Sequence, residues 1–150
     1  MPLVRIALRE GKTEEYRRAL GDGVHRALVE AMDAPAQDRF QVITEHPAGG
    51  LVYDPAYLGV QRTDDFMMVQ ITLSTGRKLA QKRKLYKRMA ELLAENPGVR
   101  PQDLMINLVE VAWETGRSVT AKRNMRCEGY WALFSAVTSA GSGRCMGTTS

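Results

Sequence analysis

The sequence predicts an α+β domain built from a duplicated βαβ unit, with four strands in one sheet and two helices on one of its faces. Three observations lead there. Short stretches alternate apolar and polar residues, the period of a strand with one buried face. Longer stretches between them repeat apolar residues at threes and fours, the period of an amphipathic helix. The chain also superposes on itself without a gap when shifted by 65 residues, which carries Val4, Ile6 and Leu8 onto Val69, Ile71 and Leu73.

The first strand, Leu3 to Leu8, puts Val4, Ile6 and Leu8 on one face and Arg5 and Ala7 on the other. Gly11 breaks it, and Thr13 is placed to cap a helix starting near Glu14. Tyr16, Leu20, Val24, Leu28 and Met32 form that helix's stripe, flanked by Ala27 and Ala31, and Pro35 lies past its end. Phe40 to Thr44 reads as the second strand, followed by a Gly/Pro-rich connection from Pro47 to Gly59. The pattern then restarts. Phe66 to Leu73 is a strand, Gly76 breaks it, and Leu85, Met89, Leu92 and Leu93 form a helical stripe that Pro97-Gly98 ends. Leu104 to Val111 is the last strand. The same shift matches Gly11 with Gly76, Gln37-Asp38 with Gln102-Asp103, and Glu45 with Glu110. Apolar matches follow from a shared architecture, but these glycine and polar matches require more than pattern and indicate a repeat.

Within each unit the helix is the crossover that parallel strands need, and such crossovers are right-handed. Both helices on one sheet face leave the other face to be covered or wet. Val42, Ile43, Met67 and Met68 predict considerable apolar surface for so thin a layer. Copies of the same chain cover such a face most simply, so a symmetric homo-oligomer is expected.

Composition narrows the function. With 150 residues, 44% hydrophobic and 25% charged, the chain suits one globular domain. It has no apolar run of about 18 residues, so no membrane span is expected. Its start lacks the apolar core of a signal peptide, which predicts a cytoplasmic location. Cys127 and Cys145 stand outside any metal-ligand spacing, and no metal or organic cofactor is implied. Lys82-Arg83-Lys84 and Lys87-Arg88 read as the solvated face of the second helix. A nucleic-acid surface would add aromatics or a known motif to such a patch. The basic excess sits late in the chain, where Arg117, Lys122, Arg123, Arg126 and Arg144 face only Glu114 and Glu128. Both tryptophans and both cysteines also fall after Val111. This shift divides the chain into a domain at 1–111, with repeats at about 2–46 and 67–111, and an atypical tail at 112–150.

Pro2 heads the first strand. Once Met1 is removed, its nitrogen becomes a rigid secondary amine tethered to that strand. Proline is also common after an initiator methionine, because small residues there permit methionine removal, so position alone does not assign it a role.

The sequence resembles the tautomerase superfamily, and within it the malonate semialdehyde decarboxylase-like branch. The resemblance covers residues 2 to about 112. It is carried by Pro2-Leu3-Val4, His25, Ala34-Pro35-Ala36-Gln37-Asp38-Arg39-Phe40-Gln41, Tyr57-Leu58-Gly59, Arg77 before Gln81-Lys82, and Asn107-Leu108-Val109-Glu110. It implies a βαββαβ monomer assembled as a homotrimer, with Pro2 as the catalytic base or acid. It further implies that Asp38 works with Pro2, that Arg77 binds a substrate carboxylate, and that His25 belongs to the substrate-binding set. The branch's second substrate-binding arginine falls on Thr75 and is absent here. Read from the residues alone, Asp38 fits a turn, as its repeat partner Asp103 does. Arg77 fits a helix-start charge, and His25 between Val24 and Arg26 fits a structural role.

The chemistry agrees with the implied roles. An α-amino group titrates near pH 7.7–8.0, and apolar surroundings disfavour its cation, so a neutral amine is available as a base. A carboxylate such as Asp38 favours the cation and hence an acid role. An arginine clamps a carboxylate with two parallel hydrogen bonds. The expected function is therefore proton transfer on a small carboxylated keto–enol compound. The alternatives are decarboxylation of a 3-oxo acid such as malonate semialdehyde, and a catalytically silent binding protein on the same fold.

The resemblance also implies an aromatic Trp-Ser-Phe-Gly segment after the last strand, walling the site. Here the chain runs Glu114-Thr115-Gly116-Arg117-Ser118-Val119-Thr120 instead. With suitable synonymous codons, one nucleotide deleted from a family-like ending, Glu-Asn-Trp-Ser-Phe-Gly-Asn-Gly-Glu-Ala-Gln-Tyr-Ala, translates as all of residues 114–126. The expectation is a frameshifted end from about Thr115, which the gene sequence would test.

Overall fold

The computed structural model describes residues 2–112. The expectations for the tail, its frameshifted origin included, lie outside the described residues. The chain forms β1 (Leu3–Arg9), α1 (Glu14–Met32), β2 (Phe40–His46), β3 (Met67–Ser74), α2 (Leu79–Glu95) and β4 (Leu104–Val111). The predicted elements are all present. β2 runs two residues further than expected, and Phe66 stands just before β3, buried with its ring against Tyr53.

The four strands lie in the order β2-β1-β3-β4. β1 pairs parallel with β2, starting from Leu3 opposite Phe40. β3 pairs parallel with β4, from Met67 opposite Leu104 to Ser74 opposite Val111. The two units meet antiparallel, with Leu3 of β1 opposite Thr72 of β3. They are thus related by an approximate twofold axis between β1 and β3.

The repeat extends to individual contacts. Gly11 and Gly76 both adopt the left-handed φ that favours glycine, at 102° and 105°. The Asp33 and Val99 region closes each helix alike: the Ala34 and Val99 N–H groups donate to the Leu28 and Leu93 carbonyls. The Glu10 and Thr75 N–H groups donate to the carbonyls of His46 and Val111. Arg17 pairs with Glu45, and Lys82 pairs with Glu110, each tying a helix to the strand that follows it. The Arg17 guanidinium holds the Glu45 carboxyl below the ordinary carboxylate range.

The core lies between the helices and one sheet face. Val4, Ile6 and Leu8 meet Leu20, Val24, Leu28 and Met32 of α1, while Val69 and Ile71 meet Leu85, Met89 and Leu93 of α2. Each such side chain contributes about 1.5–3 kcal/mol when fully buried. Thr13 caps α1 by accepting the Tyr16 N–H at 3.2 Å. α1 and α2 are linked by Glu30, which accepts from Arg26 on its own helix and Arg88 on the other, and Lys84 donates to the Glu30 carbonyl. These pairs use much of the basic run that the sequence places on α2.

Among the described residues, no helix lies on the other sheet face. Leu3, Phe40, Val42 and Met105 stand exposed there, with Phe40 at 49% and Met105 at 52%. Of the four residues expected on this surface, Val42 and Met68 alternate toward it. Ile43 and Met67 point the other way, into the core. The apolar surface is real, but Leu3, Phe40 and Met105 supply the rest of it. No helix among the described residues is long and apolar enough to cross a membrane.

Candidate active site

One end of the sheet gathers the candidate residues. β1 and β2 begin there and, because the two units run antiparallel, β3 and β4 end there. Pro2 sits one residue before β1 and is buried, continuing the inward alternation of Val4 and Ile6. Asp38 lies two residues before β2, and Arg77 lies three residues after β3, just ahead of α2. β4 delivers Val111 and Ala112 to the same end, where the Thr75 N–H donates to the Val111 carbonyl at 3.0 Å. Three residues separated by dozens of positions in the chain are thus brought to one rim by strand direction alone.

Asp38 closes a tight turn, its N–H donating to the Pro35 carbonyl at 2.9 Å. The Asp38 side chain is half-buried. Arg77 is also half-buried and has no acidic partner among the described residues. An arginine held partly out of water with its fork unoccupied is suited to an incoming carboxylate.

His25 is placed differently. It lies on α1, and its Nε2 is 2.9 Å from the Ala36 carbonyl, to which it donates. The ring therefore contacts the loop that bears Asp38 rather than standing beside Pro2 as a free side chain. Sequence reading missed three neighbours of this contact. Asp22 pairs with Arg39 at 2.6 Å. The Gln41 side chain accepts from Arg39 Nε and donates to the Gly21 carbonyl. Gly21 is buried in mid-helix, where a Cβ would lie 2.8 Å from Gln41 Oε1 and 3.0 Å from Arg39 Nη2. Glycine in a helix interior costs about 1 kcal/mol relative to alanine, and here its small size admits the strand's side chains. The available signal was Gln41 itself, a polar residue at an inward position of β2.

The opposite end of the sheet shows the same positions put to another use. Under the repeat, Met67 replaces Pro2, Asp103 replaces Asp38 and Lys12 replaces Arg77. Asp103 is fully buried and accepts the Thr63 N–H at 2.6 Å and the Thr63 hydroxyl at 2.8 Å. Lys12 pairs with Asp65, which raises the lysine's pKa. The segment entering β3 thus saturates both groups. An open cavity of about 540 Å³ at this end is lined by Arg9, Tyr53, Arg62 and Asp64 among others, but Arg9 pairs with Asp64 and Arg62 donates to the Tyr57 and Val60 carbonyls. This cavity therefore lies away from the rim where the candidate residues converge.

Comparison with known proteins decides the family. Sequence profiles described as tautomerase enzyme match residues 2–61 and 38–115. The chain belongs to the tautomerase superfamily. It is 37% identical to the probable tautomerase YusQ of Bacillus subtilis (strain 168), over 72% of this chain and 85% of that one. Among solved structures it is similar to a malonate semialdehyde decarboxylase, with a TM-score of 0.73 and 30% identity, covering 81% of this chain and 92% of that chain. A fused 4-OT described as a symmetric trimer shares the fold, with a TM-score of 0.66 at 18% identity, covering 80% and 94% of the two chains. The four-stranded mixed sheet with two helices is the tautomerase fold, as the sequence predicted.

Proposed function

We propose that this tautomerase-superfamily enzyme uses the nitrogen of Pro2, exposed by removal of Met1, for proton transfer on a small carboxylated carbonyl compound. The observation that carries the reading is the convergence of Pro2, Asp38 and Arg77 on one rim of the sheet. Pro2 is buried at its strand start, and burial disfavours the cation, so the neutral amine acts as base near neutral pH. Asp38 favours and orients the protonated form, and Arg77 holds the substrate carboxylate. The structures described for the malonate semialdehyde decarboxylase include a variant with its first-position proline changed to alanine, which supports attention to that position.

A second reading is decarboxylation of a 3-oxo acid. That same neighbour is described as a basis for decarboxylase and hydratase activities. In this reading the Pro2 cation, favoured by Asp38, polarises the carbonyl as carbon dioxide leaves. Thr75 stands where the branch's second arginine is expected, and one clamp instead of two favours the tautomerase reading. In either reading the uncovered sheet face with Leu3, Phe40, Val42 and Met105 is closed by copies of the chain, as a homotrimer.

The test is a panel of phenylpyruvate enol, malonate semialdehyde and a haloacrylate with wild type and Pro2→Ala, alongside the intact mass of the purified protein. Loss of Met1 and a rate at least about a hundredfold lower in Pro2→Ala are expected for a lost acid–base group. Retained Met1 in an active enzyme would overturn the mechanism, because an acylated nitrogen is not basic. Turnover of malonate semialdehyde without enol turnover would select the second reading.

A further inference from the structure

We propose that His25 is a positioning residue for Asp38: it fixes the turn that carries the carboxylate and does not itself touch the substrate. The inference rests on the proposed role of Asp38 and adds a mechanism by which that carboxylate is held.

Two backbone hydrogen bonds close the turn from Pro35 to Asp38, the Asp38 N–H to the Pro35 carbonyl and the Arg39 N–H to the Gln37 carbonyl. Pro35, Ala36 and Gln37 are exposed. His25 takes the Ala36 carbonyl from the α1 side. On the far side of Asp38, Arg39 is tied to Asp22, and Gln41 to the Gly21 carbonyl. Gly21, Asp22 and His25 lie within one turn of helix, so they present one patch to the loop. Asp38 is thus bracketed by links at positions 36, 39 and 41, all made to a rigid helix.

The repeat supplies an internal control. One helix-to-strand pair recurs in both units, as Arg17–Glu45 and Lys82–Glu110. The bracket does not recur. In the second unit, Ala90 stands in place of His25, Lys87 in place of Asp22, and Ile106 in place of Gln41. Ile106 simply packs on the core. There Asp103 is fixed by Thr63 instead. The bracket is confined to the unit whose aspartate lies at the same rim as Pro2, where the proposed chemistry takes place. To donate to a carbonyl, a neutral His25 carries its proton on Nε2.

The experiment uses the full chain and four variants, His25→Ala, His25→Gln, Asp38→Asn and His25→Ala with Asp38→Asn, assayed with phenylpyruvate enol. Glutamine places an amide N–H where Nε2 stands. The expected result is a fall of about tenfold in kcat for His25→Ala with KM changed less than about twofold, and most of kcat retained in His25→Gln. In the Asp38→Asn background, the further loss from His25→Ala should be less than about twofold. Amide hydrogen exchange should quicken in His25→Ala at Gln37, Asp38 and Arg39, and remain unchanged in β1 and β3. A rise in KM at constant kcat would overturn the proposal in favour of direct substrate contact. An equal loss in both backgrounds, or unchanged exchange at Asp38, would also overturn it. Full activity in Asp38→Asn alone is a separate outcome: it would remove Asp38 from the mechanism, and this role of His25 with it.

Discussion

The two matched aspartates should respond in opposite ways to replacement. Asp103 is fully buried, accepts two hydrogen bonds from Thr63 and has the Arg100 guanidinium 3.6 Å away. A hydrogen bond to a charged group is worth about 1.5–3 kcal/mol. Thr63 itself is exposed, so water recovers part of the loss. Asp103→Ala should therefore destabilise by about 2–4 kcal/mol. At about 3–5 °C per kcal/mol for a chain of this size, Tm falls by roughly 6–20 °C. Asp38 is half-buried, where Asp103 is fully buried. Asp38→Ala should cost about 1 kcal/mol or less in stability, while kcat/KM falls by about a hundredfold or more. The assay is urea unfolding followed by circular dichroism at one fixed protein concentration, since oligomer stability depends on concentration, together with kcat/KM on phenylpyruvate enol. The reasoning fails if Asp38→Ala loses as much stability as Asp103→Ala. It fails equally if Asp103→Ala abolishes turnover with its unfolding midpoint unchanged.

Arg77→Ala should lower kcat/KM for a carboxylated enol by about 1.5–3 kcal/mol, or roughly 10- to 150-fold, and leave an uncarboxylated enol unaffected, as steady-state kinetics will show. Val42→Asp or Met105→Asp should shift the sedimentation mass from the proposed trimer toward monomer, because either puts a charge on the sheet face where these residues are exposed. Glu30→Gln should lower the urea midpoint at pH 6 and leave it unchanged at pH 2. Arg88 and Arg26 pull the Glu30 pKa from 4.5 to about 2, so the stability it contributes is present above 4.5 and lost as pH falls toward 2.

The secondary structure was legible because each element carries its own period. The Leu20, Val24 and Leu28 stripe is a helix in any context that buries one face, and the alternation of Val4, Ile6 and Leu8 is a strand for the same reason. Gly11 and Gly76 were legible as breaks, since both adopt a backbone conformation that glycine favours. The repeat told that two similar units exist, and it told which polar positions correspond. It left open how the units meet, because parallel and antiparallel joining bury the same side chains. The antiparallel register of Leu3 with Thr72 settles this, and it alone brings Arg77 to the rim where Pro2 begins.

Local pattern was also silent on how the two aspartates diverge. Gln37-Asp38 and Gln102-Asp103 read alike in the sequence, and both close a turn. Asp103 is fully buried under Thr63, 40 residues away, which folds back onto it from the segment entering β3, whereas Asp38 is half-buried at the opposite rim. His25 met the same difficulty. Its place on α1 between Val24 and Arg26 fits a structural role, but the partner, the Ala36 carbonyl, is set only by how α1 folds across the start of β2. The sequence by itself determined the elements, their duplication and their inward faces, because periodicity and backbone preference are local. The tertiary structure decided the joining of the units, the rim on which the site residues meet and the employment of each polar group, because hydrogen-bond partners are chosen by long-range approach.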